Sequence, residues 1–182
     1  AISGKVGATV ADLLPGQPPV SIDAALDGTA ANLAAEGTLS IEGTTLTTFA
    51  ASHALTDAGS VVTASGDAVL DRFLPENLRS LVAGGTAYAV AATIAKSGAV
   101  TIDRATANTA VVNLAVSGTV DPEDGLGLTV DLSPREAATQ VSLGTSESPL
   151  DIALGQARLR VAGPASKPSL QLTVHLASVV AK

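Results

Sequence analysis

"VTIDRATANTAVVNLAVSGTVDPEDGLGLTVDL", residues 100 to 132, decides the fold. Apolar side chains recur at every second position at Val100 and Ile102, and again at Leu126, Leu128, Val130 and Leu132. Their neighbours are small or polar: Thr101, Asp103, Gly127, Thr129 and Asp131. Alternation with period two marks a strand with one apolar face and one wet face. "DPEDG" at 121–125 supplies a hairpin turn, with Pro after Asp and Gly closing it. The stretch therefore reads as two or three strands with almost nothing between them. The question it raises is what the apolar face covers.

The same alternation extends in both directions. Val20, Ile22, Ala24 and Leu26 form one row, and Leu39 and Ile41 another. Tyr88, Val90, Ala92 and Ile94 stand opposite Ala87, Ala89, Ala91 and Thr93. Leu150, Ile152 and Leu154 follow, then Leu159 and Val161. Near the end, Leu170, Leu172, Val174 and Leu176 alternate with Ser169, Gln171, Thr173 and His175. Glycines punctuate these runs, and "LPGQPP" at 14–19 and "GPASKP" at 163–168 read as loops. Only "LPENLRSLVAGG", 74–85, looks helical. Pro75 and Glu76 suit a first turn, Leu74, Leu78, Leu81 and Val82 share a face, and Gly84 ends it. A shorter turn is expected at "SPREAATQ", 133–140. The expected class is all-β with one short helix near 75–83.

Composition bounds the function. The 182 residues are 46% hydrophobic, which fits one folded domain and excludes a disordered acidic tail. Aromatics are only Phe49, Phe73 and Tyr88, so any core is built from Ala, Val, Leu and Ile. Net charge is −7 and the basic residues are scattered, which argues against nucleic acid and against a polybasic membrane patch. Without cysteine there is no disulfide framework, thiolate metal site or thiol catalysis. Without methionine, Ala1 is not expected to be a natural start, and the chain reads as a processed product or a segment of a longer protein. No signal peptide is read at its start. The longest apolar run, 87–92, is far short of the ~20 residues that span a bilayer.

Chemistry-bearing constellations are scarce. His53 and His175 sit in strand-like runs without a neighbouring ligand and read as exposed strand histidines. No GxSxG, P-loop or GxGxxG pattern occurs in the required setting. Asp121, Glu123 and Asp124 cluster in a turn, but EF-hand spacing is absent and solvated turn carboxylates are the simpler reading. Asp103 with Arg104, and Asp71 with Arg72, are expected on opposite faces of a strand, so that neither couple forms an ion pair with itself. No catalytic residue, metal site or cofactor is expected, and the chain is not expected to be an enzyme.

A weak repeat is present. "VSID" at 20–23 returns as "VTID" at 100–103, and "NLAAEGTL" at 32–39 returns as "NLAVSGTV" at 113–120. Two matches in the same order at nearly the same offset suggest two similar blocks, about 20–98 and 99–176, within a single segment 1–182. Chance is the alternative in so restricted an alphabet.

These strings carry a resemblance. "GAVTIDRATANTAVVNLAVSGTVDPEDGLGLTVDL" resembles the repeats of the TamB and AsmA-like family of translocation and assembly module subunits. The matching elements are the apolar-x-Ile-Asp strand at 100–103, the small-residue strand at 110–116, the Ser-Gly-Thr step at 117–119 and the strand after the acidic turn at 125–132. The first block matches less fully, at 20–23 and 32–41, and the "GGT" step at 84–86 resembles another family element. The resemblance implies an elongated, curved, U-shaped sheet with an apolar groove that carries phospholipid between membranes. It implies the periplasm as location, with an inner-membrane anchor outside this segment. It also implies a part in outer-membrane protein assembly with a TamA-type barrel partner, although no barrel-facing signature is recognisable here.

The groove lining expected on this reading is Val90, Ile94, Val100, Ile102, Leu128, Val130, Leu132, Leu170, Leu172 and Val174. The expected partners are acyl chains, with edge-to-edge self-association of the segment where its sheet edges are open. The rival reading is a structural β-solenoid or adhesin module with a closed dry core. A β-sandwich hydrolase ranks last.

Overall fold

The computed structural model describes residues 1–10, 18–71, 79, 82, 84–136, 140–145, 148–153, 155–175 and 178–181. It is all-β. Eleven strands form one antiparallel sheet in which nearly every strand pairs with its neighbour in sequence. They are β1 (Ile2–Val10), β2 (Val20–Gly28), β3 (Asn32–Ile41), β4 (Thr44–Thr56), β5 (Gly59–Ala68), β6 (Thr86–Ala95), β7 (Val100–Asn108), β8 (Val112–Asp121) and β9 (Gly125–Pro134), followed across a gap by β12 (Ala157–Gly163) and β13 (Ser169–Val174). The gap holds β10 (Gln140–Thr145) and β11 (Ser148–Ala153), which with β14 (Ser178–Ala181) make a separate three-stranded sheet. The large sheet is open, with β1 and β13 at its edges.

Alternation and antiparallel register together fix what each face carries. The central row runs Gly4, Leu26, Ala35, Ala51, Ala64, Val90, Ala105, Val116, Val130, Leu159, Leu172, and every member is apolar or glycine. The rows on either side differ only by Tyr88 and His53. The opposite face carries the charges: Lys5, Asp23, Glu36, Asp67, Arg104, Asp131 and Arg158 among others. Short hydroxyl pairs bind neighbouring strands there, such as Ser52 with Thr63 at 2.6 Å, and Arg158 pairs with Asp131.

Alanines provide a like-for-like probe of curvature. On the apolar face Ala24, Ala35, Ala51, Ala64, Ala105 and Ala157 are all half-buried, whereas Ala25, Ala34, Ala50, Ala89, Ala115 and Ala162 on the polar face are exposed. Ala54, Ala91 and Ala95 on the polar side are sheltered to the same degree, and Ala8 on the apolar side of the edge strand is exposed. Flanking side chains shelter part of this row, since Leu26 and Leu33 stand beside Ala35, Phe49 and His53 beside Ala51, and Val62 and Val90 beside Ala64. The sheet is a single elongated layer that curves toward its apolar side.

Among the described residues two β-bulges interrupt the ladder: an extra residue in β4 opposite Leu39 and Ser40, and one in β7 after Ile102 that shifts the register to both β6 and β8. The last corrects an expectation. Asp103 and Arg104 both project from the polar face, because the bulge places an extra residue there. Asp103 accepts a hydrogen bond from the Thr93 hydroxyl at 3.0 Å. Without that extra residue the second half of β7 would turn Arg104, Thr106 and Asn108 to the apolar side. The bulge instead brings Ala105 and Ala107 into the apolar rows.

The repeated strings fall on β2–β3 and β7–β8. Both hairpins turn through a Thr-led loop, with Thr29 Oγ1 accepting from the Asn32 N–H at 3.1 Å and Thr109 Oγ1 accepting from the Val112 N–H at 2.9 Å. β7 lies five steps from β2 in the antiparallel order and so runs in the opposite sense, which puts these turns on opposite margins of the sheet. The helix expected near 75–83 lies almost wholly outside the described residues. The turn expected at 133–140 begins later than anticipated, because Ser133 and Pro134 complete β9. Leu154 and Leu176 also lie outside the described residues.

Candidate functional site: the apolar face

All ten residues expected to line a groove stand on the apolar face. Val90, Val130 and Leu172 belong to the central row; Ile102, Leu128 and Leu170 lie on one side of it, and Leu132 and Val174 on the other. Ile94 and Val100 pair at the margin. Alternation places these ten on one face, Ile102 by the phase that precedes the β7 bulge. It did not find the contribution of β1 to β5, where Val6, Ala24, Gly37, Phe49 and Gly66 form a row of mostly small side chains.

Among the described residues, the strands of the large sheet contact chiefly their ladder partners, and little of the chain lies over this face. Among the described residues the buried apolar side chains are Val20, Ile41, Leu46, Ala68 and Val112. All five lie along one margin, where β2 and β8 begin and β3 and β5 end. That margin also carries the long connections, 11–19, 69–85 and 135–156. The opposite margin has only short turns. Away from the first margin the interior strands of the face are mostly half-buried, Val90 and Ile94 remain 36% and 39% exposed, and the side chains of the edge strands β1 and β13 are exposed. Eleven strands at ~4.8 Å spacing make a face roughly 48 Å across, and three full rows cover about 15 to 20 Å along the strands. That is a footprint of about 700 to 950 Å² of sheet lined by apolar side chains and glycine.

The two aromatic side chains in these rows do not obstruct the trough. A Cβ built on Gly37 would come within 2.9 Å of the Phe49 ring, and one on Gly66 within 2.9 Å of the Tyr88 hydroxyl. Each ring thus lies across a glycine on the neighbouring strand, covering backbone that no side chain would otherwise shield. Tyr88 is held down at its polar end, where its hydroxyl accepts from Thr47 Oγ1 at 3.2 Å and donates to the Thr48 carbonyl at 3.4 Å.

His53 corrects another expectation. It is half-buried on the apolar face, with Nε2 3.0 Å from Ser60 Oγ, whereas His175 is exposed as anticipated. Apart from Tyr88, His53 is the one titratable side chain among the described residues of the three full rows. The acidic turn serves itself: Asp121 Oδ1 accepts from the Glu123 and Asp124 N–H groups at 2.8 and 3.0 Å, which holds its carboxyl below the usual range.

The clefts among the described residues lie elsewhere, at the margins and edges of the sheet. One of about 540 Å³ sits at the covered margin between Leu46, Ala68, Thr109 and Arg135. Another of about 450 Å³ lies mainly on the polar side between Arg158, Arg160, Gln171 and Thr173. Among the described residues no cluster of acidic or histidine side chains is arranged to hold a metal ion. The arrangement offers a long surface for hydrocarbon and no charged side chain within its full rows. Compared with protein-family models, curated proteins and solved structures, the chain matches none.

Proposed function

We propose that this chain is a segment of a TamB or AsmA-like protein that spans the periplasm and passes phospholipid between the inner and outer membranes along its apolar trough. On this reading the parent protein also supports assembly of outer-membrane proteins with a TamA-type barrel. The observation that carries the proposal is the central row, apolar or glycine on all eleven strands and continuous from one edge of the sheet to the other. Acyl chains offer methylenes and no hydrogen bonds, so a surface without charged groups suits them. Each methylene moved from water onto such a surface contributes about 0.8 kcal/mol. A tail about half the ~30 Å bilayer core in length fits within the face. Headgroups would stay outside, since the full rows hold no charged partner for them.

The test is lipid occupancy. The chain and its Val130→Arg variant would be expressed in a diderm bacterium with a periplasmic leader, purified without detergent, and extracted for phospholipid. Val130 is half-buried mid-row, and a guanidinium there sets a charge among methylenes. Co-purified phospholipid should fall at least about tenfold while the strand signal in circular dichroism is retained. Equal lipid in both would refute the trough. A closed solenoid interior would bury this face, so strong binding of the dye ANS by the lipid-free chain separates the two readings.

A further inference from the structure

We infer that the open edge of β13 pairs with the same edge of a second copy of this chain, antiparallel and centred on Leu172. The backbone geometry comes first. The His175 N–H donates to the Gln156 carbonyl on the β12 side at 2.8 Å. Backbone groups alternate in direction along an antiparallel strand. Gln171 and Thr173 therefore bond toward β12, and the N–H and C=O groups of Leu170, Leu172 and Val174 point away from the sheet. The same residues carry exposed apolar side chains, with Leu170 67% and Leu172 65% exposed.

The two edges of the sheet differ in a way that selects this one. Native edge strands are usually protected by charge, proline or irregularity. β1 carries Lys5 and interior glycines at 4 and 7. β13, "SLQLTV", has no charge, glycine or proline. The strand is also self-complementary. With Leu172 opposite Leu172 of the second copy, Leu170 meets Val174 on the apolar side and Gln171 meets Thr173 on the polar side. Each pair with outward backbone groups exchanges two hydrogen bonds, and no like charges are opposed. A two-fold axis normal to the sheet keeps both apolar faces on one side, so the face runs on across two molecules. Pairing β13 with β1 of another copy would be parallel, because the two strands run in the same sense, and would place glycines in the ladder.

A pair of six-residue strands buries less than the ~1,200 Å² of a stable complex, so the dimer is expected to be weak and concentration-dependent. Sedimentation of the lipid-free 182-residue chain between about 10 µM and 1 mM should show the average mass rising from 17.8 kDa toward twice that value. Leu172→Pro removes an N–H that has no ladder partner among the described residues. Its circular dichroism and urea midpoint should stay near those of the parent, and its association should weaken about 100-fold. The chain has no native cysteine, so a nitroxide on Gln171→Cys reports the edge directly. Its spectrum should broaden at high concentration and sharpen on dilution with unlabelled chain, while a label on Lys5→Cys should not. A chain that stays monomeric throughout overturns the inference. So does a dimer that survives Leu172→Pro, or broadening at position 5 instead of 171.

Discussion

The apolar face is built in two ways. Across β2 to β5 its floor is small: Ala24, Gly37 and Gly66 in one row and Ala35, Ala51 and Ala64 in the next, with Phe49 and Tyr88 lying across the glycines. Across β8 to β13 the same rows carry Leu114, Leu132, Val116, Val130, Leu159 and Leu172. One half is apolar largely through alanine and glycine, with Leu26, Leu33, Phe49 and Val62 among them, and the other because branched side chains cover it. The first half should depend on close backbone approach and be intolerant of added atoms. The second should tolerate exchange among aliphatic side chains and respond mainly to polarity.

The largest expected effect tests that contrast at Gly66. A Cβ there would run into the Thr48 carbonyl oxygen on the neighbouring strand. Gly66→Ala should therefore cost about 2 to 3 kcal/mol in urea unfolding, as overpacking does. Gly4 has nothing within 4 Å of the added carbon, and Gly4→Ala should cost nothing measurable. Val116→Leu in the aliphatic half should stay within about 1.5 kcal/mol of the parent. Equal losses at Gly66 and Val116 would erase the distinction. A smaller step follows at Phe49: truncation to Ala uncovers the Gly37 backbone and should cost about 1 kcal/mol, the scale of one cross-strand aromatic contact.

The two halves also differed in how readable they were. Val116, Val130 and Leu132 alternate strictly with small polar residues, so their strands and faces were evident from spacing alone. In β4 and β5 the pattern is dilute, because Ala and Thr occupy both faces and contrast in hydropathy is lost. β7 posed a different problem. Its alternation changes phase after Ile102, and only the ladder to β6 and β8 reveals that a bulge absorbs the change. His53 was misplaced for the same reason, since facing can be assigned only when neighbours on the strand set the phase. The separation of β10, β11 and β14 into a second sheet is a matter of long-range pairing, which no local pattern encodes.

Turns give the smaller effects. Glu42 and Gly43 form the two-residue loop between β3 and β4, both with positive φ, at 50° and 76°. That geometry suits Asn-Gly far better than Glu-Gly. Glu42→Asn should stabilise the chain by about 0.5 to 1 kcal/mol in urea unfolding, and a loss would mean the side chain serves another contact.

The smallest effect belongs to Asp121 at the turn between β8 and β9. Its carboxylate accepts from two backbone N–H groups, and these hold its proton affinity below the ordinary value. A carboxyl depressed in the folded state stabilises the fold fully above its unfolded pKa, and the contribution fades as pH falls through the folded one. The Tm of the parent chain should therefore exceed that of Asp121→Ala by a small constant margin near neutral pH. The margin should narrow only once pH drops below about 4. Asp121→Asn keeps an acceptor oxygen without the charge, so its Tm should fall between the two and lack the acid-dependent narrowing. A margin unchanged down to pH 2 would mean that the turn is held by Pro122 and Gly125 and that the carboxylate contributes nothing.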